Sequence, residues 1–511
     1  MKRILLLLIC ICLVFVTIPN VWAQSSIVIL DPHMLNWLKL SVSSIMRIPF
    51  NFYVPENANT LPKAIDPHLL NWIKSNVSPV TGLPYSFYIS EKDKAEIYRQ
   101  MGPAGSQEAS IERIITHEGM DIYDGAVYQI VLGMAGGEAN FKQASLPDRY
   151  YWDGAVGDSW NIRAGFPINN FIYDPKDPES VSSDVSRLGQ RGFIFRILDA
   201  DGQFLVTDPL DGKKTLAGFP GGDRLHWVDW KPVAGENAWV VIAALQLYVR
   251  HPDSIELNLA QELARAAMKL QSDCGGIRMA PLGTYGDFYE RISTENNISW
   301  YAALRMLFQI TGDEKYKKAM DGIEGYLRFV WNEKEGYFYQ GATELNGQWK
   351  ISSENFALDV QTWGIACIGP RHLDALLGEG SAWRIWQAGR GHSGVFDGQG
   401  RLLGVGFTDE HDRISVEWSA GAMVALAELS KYYKDKNSTW VSKAMADKSS
   451  MRMSMESLHY NISQSLAAYS YSSRRGKIPF GWNSHDPRVM SLASSGWMIF
   501  VDAGINPFWL V

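Results

Sequence analysis

Two hydrophobic patterns alternate along the second half of the chain. Stretches 238–249 (AWVVIAALQLYV), 420–429 (AGAMVALAEL) and 491–501 (SLASSGWMIFV) are apolar on nearly every side. A helix of that kind must be buried all round. Several are followed by stretches with a single apolar face. Over 254–271, Ile255, Leu259, Leu263, Ala266 and Leu270 recur at three- and four-residue spacing, as do Tyr316, Met320, Ile323, Leu327 and Val330 over 313–331. That is the period of an amphipathic helix. A buried helix followed by an amphipathic one predicts an inner and an outer ring.

The inner segments begin near Asp124, Glu236, Glu295, Asp359, Glu417 and Asp486, and the last five starts are about 60 residues apart. Two helices and two loops fill such a period. The first step is about twice as long, so 136–180 is read as an insertion, 182–197 as the first outer helix, and 108–117 as a helix closing the outer ring. Six hairpins over 105–511 predict an all-α fold, an (α/α)6 toroid. Inner-to-outer turns are short (251–254, 311–314), whereas outer-to-inner connections are long (273–294, 332–356, 390–414). The long loops therefore emerge together at the N-termini of the inner helices, on the face where function concentrates.

The N-terminal part follows other rules. Lys2 and Arg3 precede an apolar run from Ile4 to Val16, and Val21-Trp22-Ala23 fits a cleavage signal. Residues 1–23 thus read as a signal peptide cut after Ala23, leaving a secreted or periplasmic protein with no stable membrane span. Residues 24–104 hold a duplication: the stretch near 31–56 recurs near 66–91 at an offset of roughly 35, with about half of the paired positions identical. Two copies are too few for a self-stacking solenoid, so they read as a short arm lying on the main domain. His33 and His68 fit a turn-forming Asp-Pro-His before a short helix, or a repeated ligand. Cys274 and Cys367 remain after cleavage, one pair at most and no disulfide scaffold.

Charge and composition narrow the partners. Removing Lys2 and Arg3 leaves 46 basic and 55 acidic residues, a net charge of 46 − 55 = −9, which repels nucleic acid and strongly anionic polymers. The 19 Trp and 22 Tyr suit sugar rings as well as a core. Ten histidines show no zinc spacing, and 198–205 (LDADGQFL) lacks the third acid and closing Glu of a calcium loop, so neither metal nor cofactor is expected.

An acid stands at each inner-helix start, and capping alone would explain any one of them. Capping does not explain the company they keep: Tyr123, Trp239, Trp300, Tyr301, Trp363 and Trp418, with the amides of Asn296, Asn297 and Gln361. Carboxylates from separate helices converging on an aromatic cleft are what glycosidic-bond cleavage requires. The candidate catalytic pair is Glu295 and Asp359, with Glu417 and Asp124 in reserve; Trp239, Asn296, Asn297, Trp300, Tyr301, Gln361, Trp363 and Trp418 are the candidate substrate contacts.

The strings STENNISWYAAL (293–304) with TGDEKY (311–316), LDVQTWGIA (358–366) and ISVEWSAGAMVALAEL (414–429) resemble inner-helix starts of the six-hairpin glycosidase superfamily, over roughly 105–505. The resemblance implies a secreted glycan-active protein, often a hydrolase. Two rivals stay open. A polysaccharide lyase on the same fold would use Tyr285, Arg291 and His226, and a non-catalytic glycan-binding or envelope-assembly protein would use the acids only as caps.

Overall fold

The computed structural model describes residues 65–156, 193–202, 205–216, 226–229, 231–282, 284 and 287–510. The stretch read as a signal peptide and the first repeat copy lie outside them. Six inner helices, labelled here α1 (Ile122–Ala135), α2 (Ala234–Arg250), α3 (Thr294–Thr311), α4 (Leu358–Ile368), α5 (Val416–Tyr433) and α6 (Leu492–Ala503), pack each on the next, and α6 closes on α1. All-round burial follows from the all-round apolar pattern: α3 buries every residue from Thr294 to Leu307 except Glu295. The amphipathic helices Ser254–Lys269, Glu314–Phe329 and Ser381–Ser393 cover α2 to α4, and Ser438–Met455, which lacks a distinct apolar face, covers α5. The expected (α/α)6 toroid is the fold. Turns between inner and outer helices are tight; Gly312 takes the left-handed conformation at φ 68° and Asp313 caps the following helix. The long returns carry two- and three-stranded pieces instead of irregular coil.

Three boundaries differ from the sequence reading. Within the stretch read as an insertion, Glu138–Ala144 packs on α1 and Leu146–Val156 packs on Ser254–Lys269, so these helices fill the first outer position. Of the outer helix expected at 182–197, residues 182–192 lie outside the described residues, and Ile197–Asp199 is a strand paired with Gly119–Asp121. The helix expected to close the ring, observed as Gln107–Glu118, packs on strands instead. Pro67–Ser75 packs on α6 and on the strand Ala467–Tyr469 in its place. Its anchors Leu69, Trp72 and Ile73 are at most 2% exposed, the apolar face that a nine-residue helix must bury to persist.

The second repeat copy therefore stitches the seam where the ring closes. Phe87-Tyr88 pairs with Met490-Ser491. Ser86 accepts the Leu492 N–H on its carbonyl at 3.0 Å and the Asp121 N–H on its hydroxyl at 2.8 Å, while its own N–H donates to the Gly119 carbonyl at 2.9 Å.

One device recurs around the ring. The residue four places after each N-cap of α2 to α6 reaches back to grip the strand that leads in. Asn297 donates to the carbonyls of Ile277 (3.0 Å) and Ser293 (2.8 Å) and accepts the Ile277 N–H at 2.7 Å. Asn237 does the same with Ile194 and Val233, and Gln361 with Phe338 and Ala357. Ser419 and Ser495 accept the N–H groups of Val405 and Tyr469, each at 3.0 Å. A buried backbone group must find a partner, and these side chains supply one where ladder and helix meet.

Asn297 and Gln361, expected to contact sugar, are thus spent on backbone and wholly buried. Their amides already hold three hydrogen bonds each, which leaves them no free group to offer a ligand. Asn297→Ala should cost roughly 3 kcal/mol of stability by orphaning the Ile277 backbone, read as a lower urea midpoint. An unchanged midpoint would remove the clamp from this account.

Candidate active site

The acids stand where the clamps put them. Asp124 and Glu236 are third in their helices; Glu295, Asp359 and Glu417 are second. Asp121 is the N-cap of α1 and accepts the Tyr123 N–H at 2.9 Å. The capping itself falls to neighbours: Ser293, Ser415 and Ser491 accept first-turn N–H groups. That frees the acids of α3 and α5 from the capping role that sequence alone allowed them. The sixth acid is a correction. Asp486 lies ahead of α6, paired with Arg488 at 2.9 Å, and the first turn of α6 carries no acid.

Glu295, Asp359, Glu236 and Asp121 keep partial access to solvent, while Glu417 and Asp124 are 6% exposed. Glu295 accepts from the Ser299 hydroxyl at 2.9 Å. Asn296, its amide turned to satisfy its neighbours, donates to the other Glu295 oxygen at 2.9 Å and accepts the Gly235 N–H of the adjacent inner helix at 2.8 Å. Burial, then the Asp359 charge, holds Glu295 well above the usual carboxylate range. Burial pushes Asp359 up to about 7, against one backbone hydrogen bond from Val360 at 2.7 Å. Both acids are thus raised by burial, and the Asp359 charge adds to the rise of Glu295. Glu417 is raised to about 7 by burial although Tyr123 donates to it at 2.6 Å. Asp124 is raised to about 8 by burial, opposed by hydrogen bonds from Ser86 and the Ala493 backbone that place it across the α6–α1 seam. Like charges this close cannot all ionise, so the cluster shares protons.

Beneath the acids lies an aromatic floor. Trp239, Trp363, Trp497 and Phe508 meet with ring centroids 5.1–6.0 Å apart. Phe508 belongs to a C-terminal segment fixed below the ring, where Arg305 donates to its carbonyl at 2.7 Å and Gln246 to that of Trp509 at 2.6 Å. Trp497 donates through its indole N–H to the Tyr123 hydroxyl at 2.6 Å, and so supports the bond from Tyr123 to Glu417. The apolar layer below the acids is what raises them.

The expected substrate contacts divide accordingly. Trp239 and Trp363 form the floor but are only 1% and 4% exposed, so almost none of either ring is open to a ligand. Asn296 holds Glu295, and the buried Trp418 packs on Phe407 at 4.9 Å beside Glu417. Trp300 and Tyr301 are corrected. Trp300 is fully buried with its N–H on the Ala234 carbonyl at 2.9 Å. Tyr301 points outward and donates to Glu324 of the outer ring at 3.0 Å. On a helix buried all round, only the first turn reaches the mouth. Tyr123, Tyr471 and Asp121 belong to the cluster and were missed as acid partners; the buried Tyr471 hydroxyl is raised by burial and by Glu417.

Of the lyase candidates, Tyr285 and the His226 side chain lie outside the described residues, and Arg291 is exposed on a strand edge. Cys274 and Cys367 are unpaired thiols, Cys367 donating to the Ile298 carbonyl at 3.1 Å. From the stretch declined as a calcium loop, Asp199 and Asp201 do meet Glu118, their oxygens within 4.8 Å of one another. Burial and those two charges raise Glu118 to about 8, and Tyr85 donates to Asp201 at 2.5 Å.

Fold and site together define an α/α toroid with an acid-lined, aromatic-floored mouth. Solved structures share its architecture. A sugar epimerase from a ruminal bacterium matches with a TM-score of 0.51 at 11% identity, over 86% of this chain and 97% of its own. Cellobiose 2-epimerase from Bacillus thermoamylovorans B4167 matches at 0.51 and 10% identity, over 85% and 96%. Cellobiose 2-epimerase from Spirochaeta thermophila DSM 6192 matches at 0.50 and 13%, over 94% and 98%. The chain thus shares its α/α toroid fold with these enzymes. No protein-family model and no curated sequence matches it.

The raised carboxylates carry a stability consequence with a definite sign. Their pKa values lie higher folded than unfolded, so their contribution is complete below about pH 4 and is lost as pH climbs through 7 to 8. The melting temperature should fall between pH 5 and 8, and less steeply in Glu417→Gln. An equal slope in both proteins would mean that Glu417 titrates at its ordinary value.

Proposed function

We propose that this is an exported glycoside hydrolase acting on a neutral polysaccharide or oligosaccharide, with Glu295 as general acid and Asp359 as its partner carboxylate. The single observation that supports it most is their pairing: two acids at the starts of adjacent inner helices, both raised by burial, with the Asp359 charge raising Glu295 further. That is how one site keeps an acid and a base at the same pH. Glu295 gives its proton to the leaving oxygen as the glycosidic C–O bond breaks. Asp359 takes the proton of the attacking water or bonds to the anomeric carbon; carboxyl separation decides which. Glu417, held by Tyr123, and Asp124 complete the charge around the sugar, and the helix N-termini favour the ionised members. The signal-like N-terminus supports export.

A second reading draws on the fold matches, two of which are cellobiose 2-epimerases and a third a sugar epimerase. Epimerisation moves a C–H proton and leaves the glycosidic bond whole. The first turns of α1 to α5 hold carboxylates, and no histidine stands in the first turn of any of the six inner helices, which favours bond cleavage, a reaction that carboxyl groups suffice to run.

A glycan panel separates the readings. New reducing ends support hydrolysis, whereas an epimerised product without them, unsaturated uronates absorbing in the ultraviolet, or binding alone would each overturn it. Glu295→Gln should lower kcat at least about a thousandfold while the fold melts normally. The rising limb of the pH–rate profile should lie near 7, where Asp359 ionises; a limb near 4 would exclude Asp359 as the base. Tyr123→Phe should move that profile, because it removes the donor to Glu417, and an unmoved profile would confine Tyr123 to packing.

A further inference from the structure

The hairpin formed by Gly476–Ile478 and Trp482–Ser484 is built more rigidly than a surface loop requires. Buried Arg413 donates to the Lys477 carbonyl and the Ser484 hydroxyl, each at 3.3 Å, and Ser484 donates to the carbonyls of Arg474 and Gly476. Gly476 permits this approach, since a Cβ there would lie 2.2 Å from an Arg413 nitrogen. The tip turns through Gly481 at φ 102° and leaves Trp482 38% exposed.

That ring is exposed but not free. Its indole N–H donates to the Tyr471 hydroxyl at 2.9 Å. Tyr471 lies 5.8 Å from Phe407, Phe407 lies 4.9 Å from Trp418, Trp418 stacks on Phe480 at 6.5 Å, and Phe480 returns to Trp482 at 5.7 Å. The circuit of five rings closes on itself, and Trp418 directly follows Glu417 in the chain. An exposed tryptophan whose N–H is already committed offers a fixed apolar plane and little else. The arginines around the hairpin are themselves committed: Arg474 to Asp412, Arg475 to Glu112, and Arg413 to Glu410 and Asp412.

We propose that Trp482, braced by Tyr471 and Phe480, is a stacking platform for a neutral hexopyranose unit of an oligosaccharide whose neighbouring units reach the acid mouth. It rests on the glycan-active reading of that mouth and names a specificity-determining residue within it. The plane matches the apolar C–H face of a pyranose, and the arginines described around it are paired, so that Lys477 is the one exposed cation described on the hairpin strands. The hydrogen-bond partner of Trp482, Tyr471, lies within reach of the Glu417, Asp124 and Asp121 charges, which sets the plane beside the acids. A platform outside the reacting position favours long chains over short ones.

The test uses the full-length mature chain carrying Glu295→Gln, so that ligands are bound and not consumed. Intrinsic tryptophan fluorescence is titrated with hexasaccharides and disaccharides of glucose, mannose and galactose. Adding Trp482→Ala should weaken hexasaccharide binding at least tenfold and leave disaccharide binding within twofold, with Trp482→Phe restoring most of the loss. Equal hexasaccharide binding with and without Trp482, or no binding by either protein, would overturn the platform. A shift from dimer to monomer in sedimentation on Trp482→Ala would also overturn it and make the ring a contact between two copies of the chain. Trp482-dependent binding by a wild-type chain that cleaves nothing would sink the hydrolase reading and leave the platform standing.

Discussion

The grip of each inner helix on the strand that leads into it is the constraint on which the rest depends. Asn237, Asn297, Gln361, Ser419 and Ser495 occupy the same place in five successive helices and hold the incoming backbone at the helix start. A side chain buried there without its bonds would cost more than an apolar one, so the amide or hydroxyl and the strand position require each other. One or two residues earlier, the chain has one orientation left, and the acids of α2 to α5 therefore point to a common mouth. α1 has Gly125 at the equivalent place, and its start is held by Ser86 and Asp121 from outside the helix. Ring closure thus falls to the second repeat copy.

Bringing carboxyl groups together over an aromatic floor works against their ionisation. Burial raises Asp121, Asp124, Glu295, Asp359 and Glu417, and charged neighbours add to the rise of Asp121, Asp124, Glu295 and Glu417. The helix N-termini and a few donors, chiefly Ser299, Tyr123 and the Val360 N–H, oppose that rise unequally. Inequality is the useful product: Glu295 and Asp359 are of one chemical type, yet Glu295 has the Ser299 hydroxyl and the Asp359 charge beside it while Asp359 has the Val360 N–H. The same burial makes the site a place where stability is given up, consistent with a mouth held rigid by bonds beneath it.

Much of the architecture was legible because burial writes directly into hydrophobic period. Stretches apolar all round could only be an inner ring, and loop lengths gave the direction of the mouth. The errors fell where one residue type serves two purposes. Asn297 and Gln361 looked like sugar-binding amides because a polar side chain beside an acid is ambiguous until its partners are seen. Trp300 and Tyr301 follow Glu295 closely, but a residue five or six places along a buried helix has already turned into the core or towards the outer ring. Pro67–Ser75 read as an appendage because nothing local shows that α6 lacks an outer neighbour. The platform at Trp482 was invisible for a similar reason, since its ring partners at Phe407 and Trp418 lie far away in the chain.

The central claim is that the Asp359 charge raises Glu295 above the level set by burial. Difference infrared titration of the Glu295 carboxyl, isolated by subtracting the Glu295→Gln spectrum, measures this directly in the parent and in Asp359→Asn. The account expects Glu295 to titrate well above the ordinary carboxylate range in the parent and to move down when Asp359 is made neutral. A Glu295 carboxyl that titrates in the ordinary range, or that does not respond to Asp359→Asn, would contradict it.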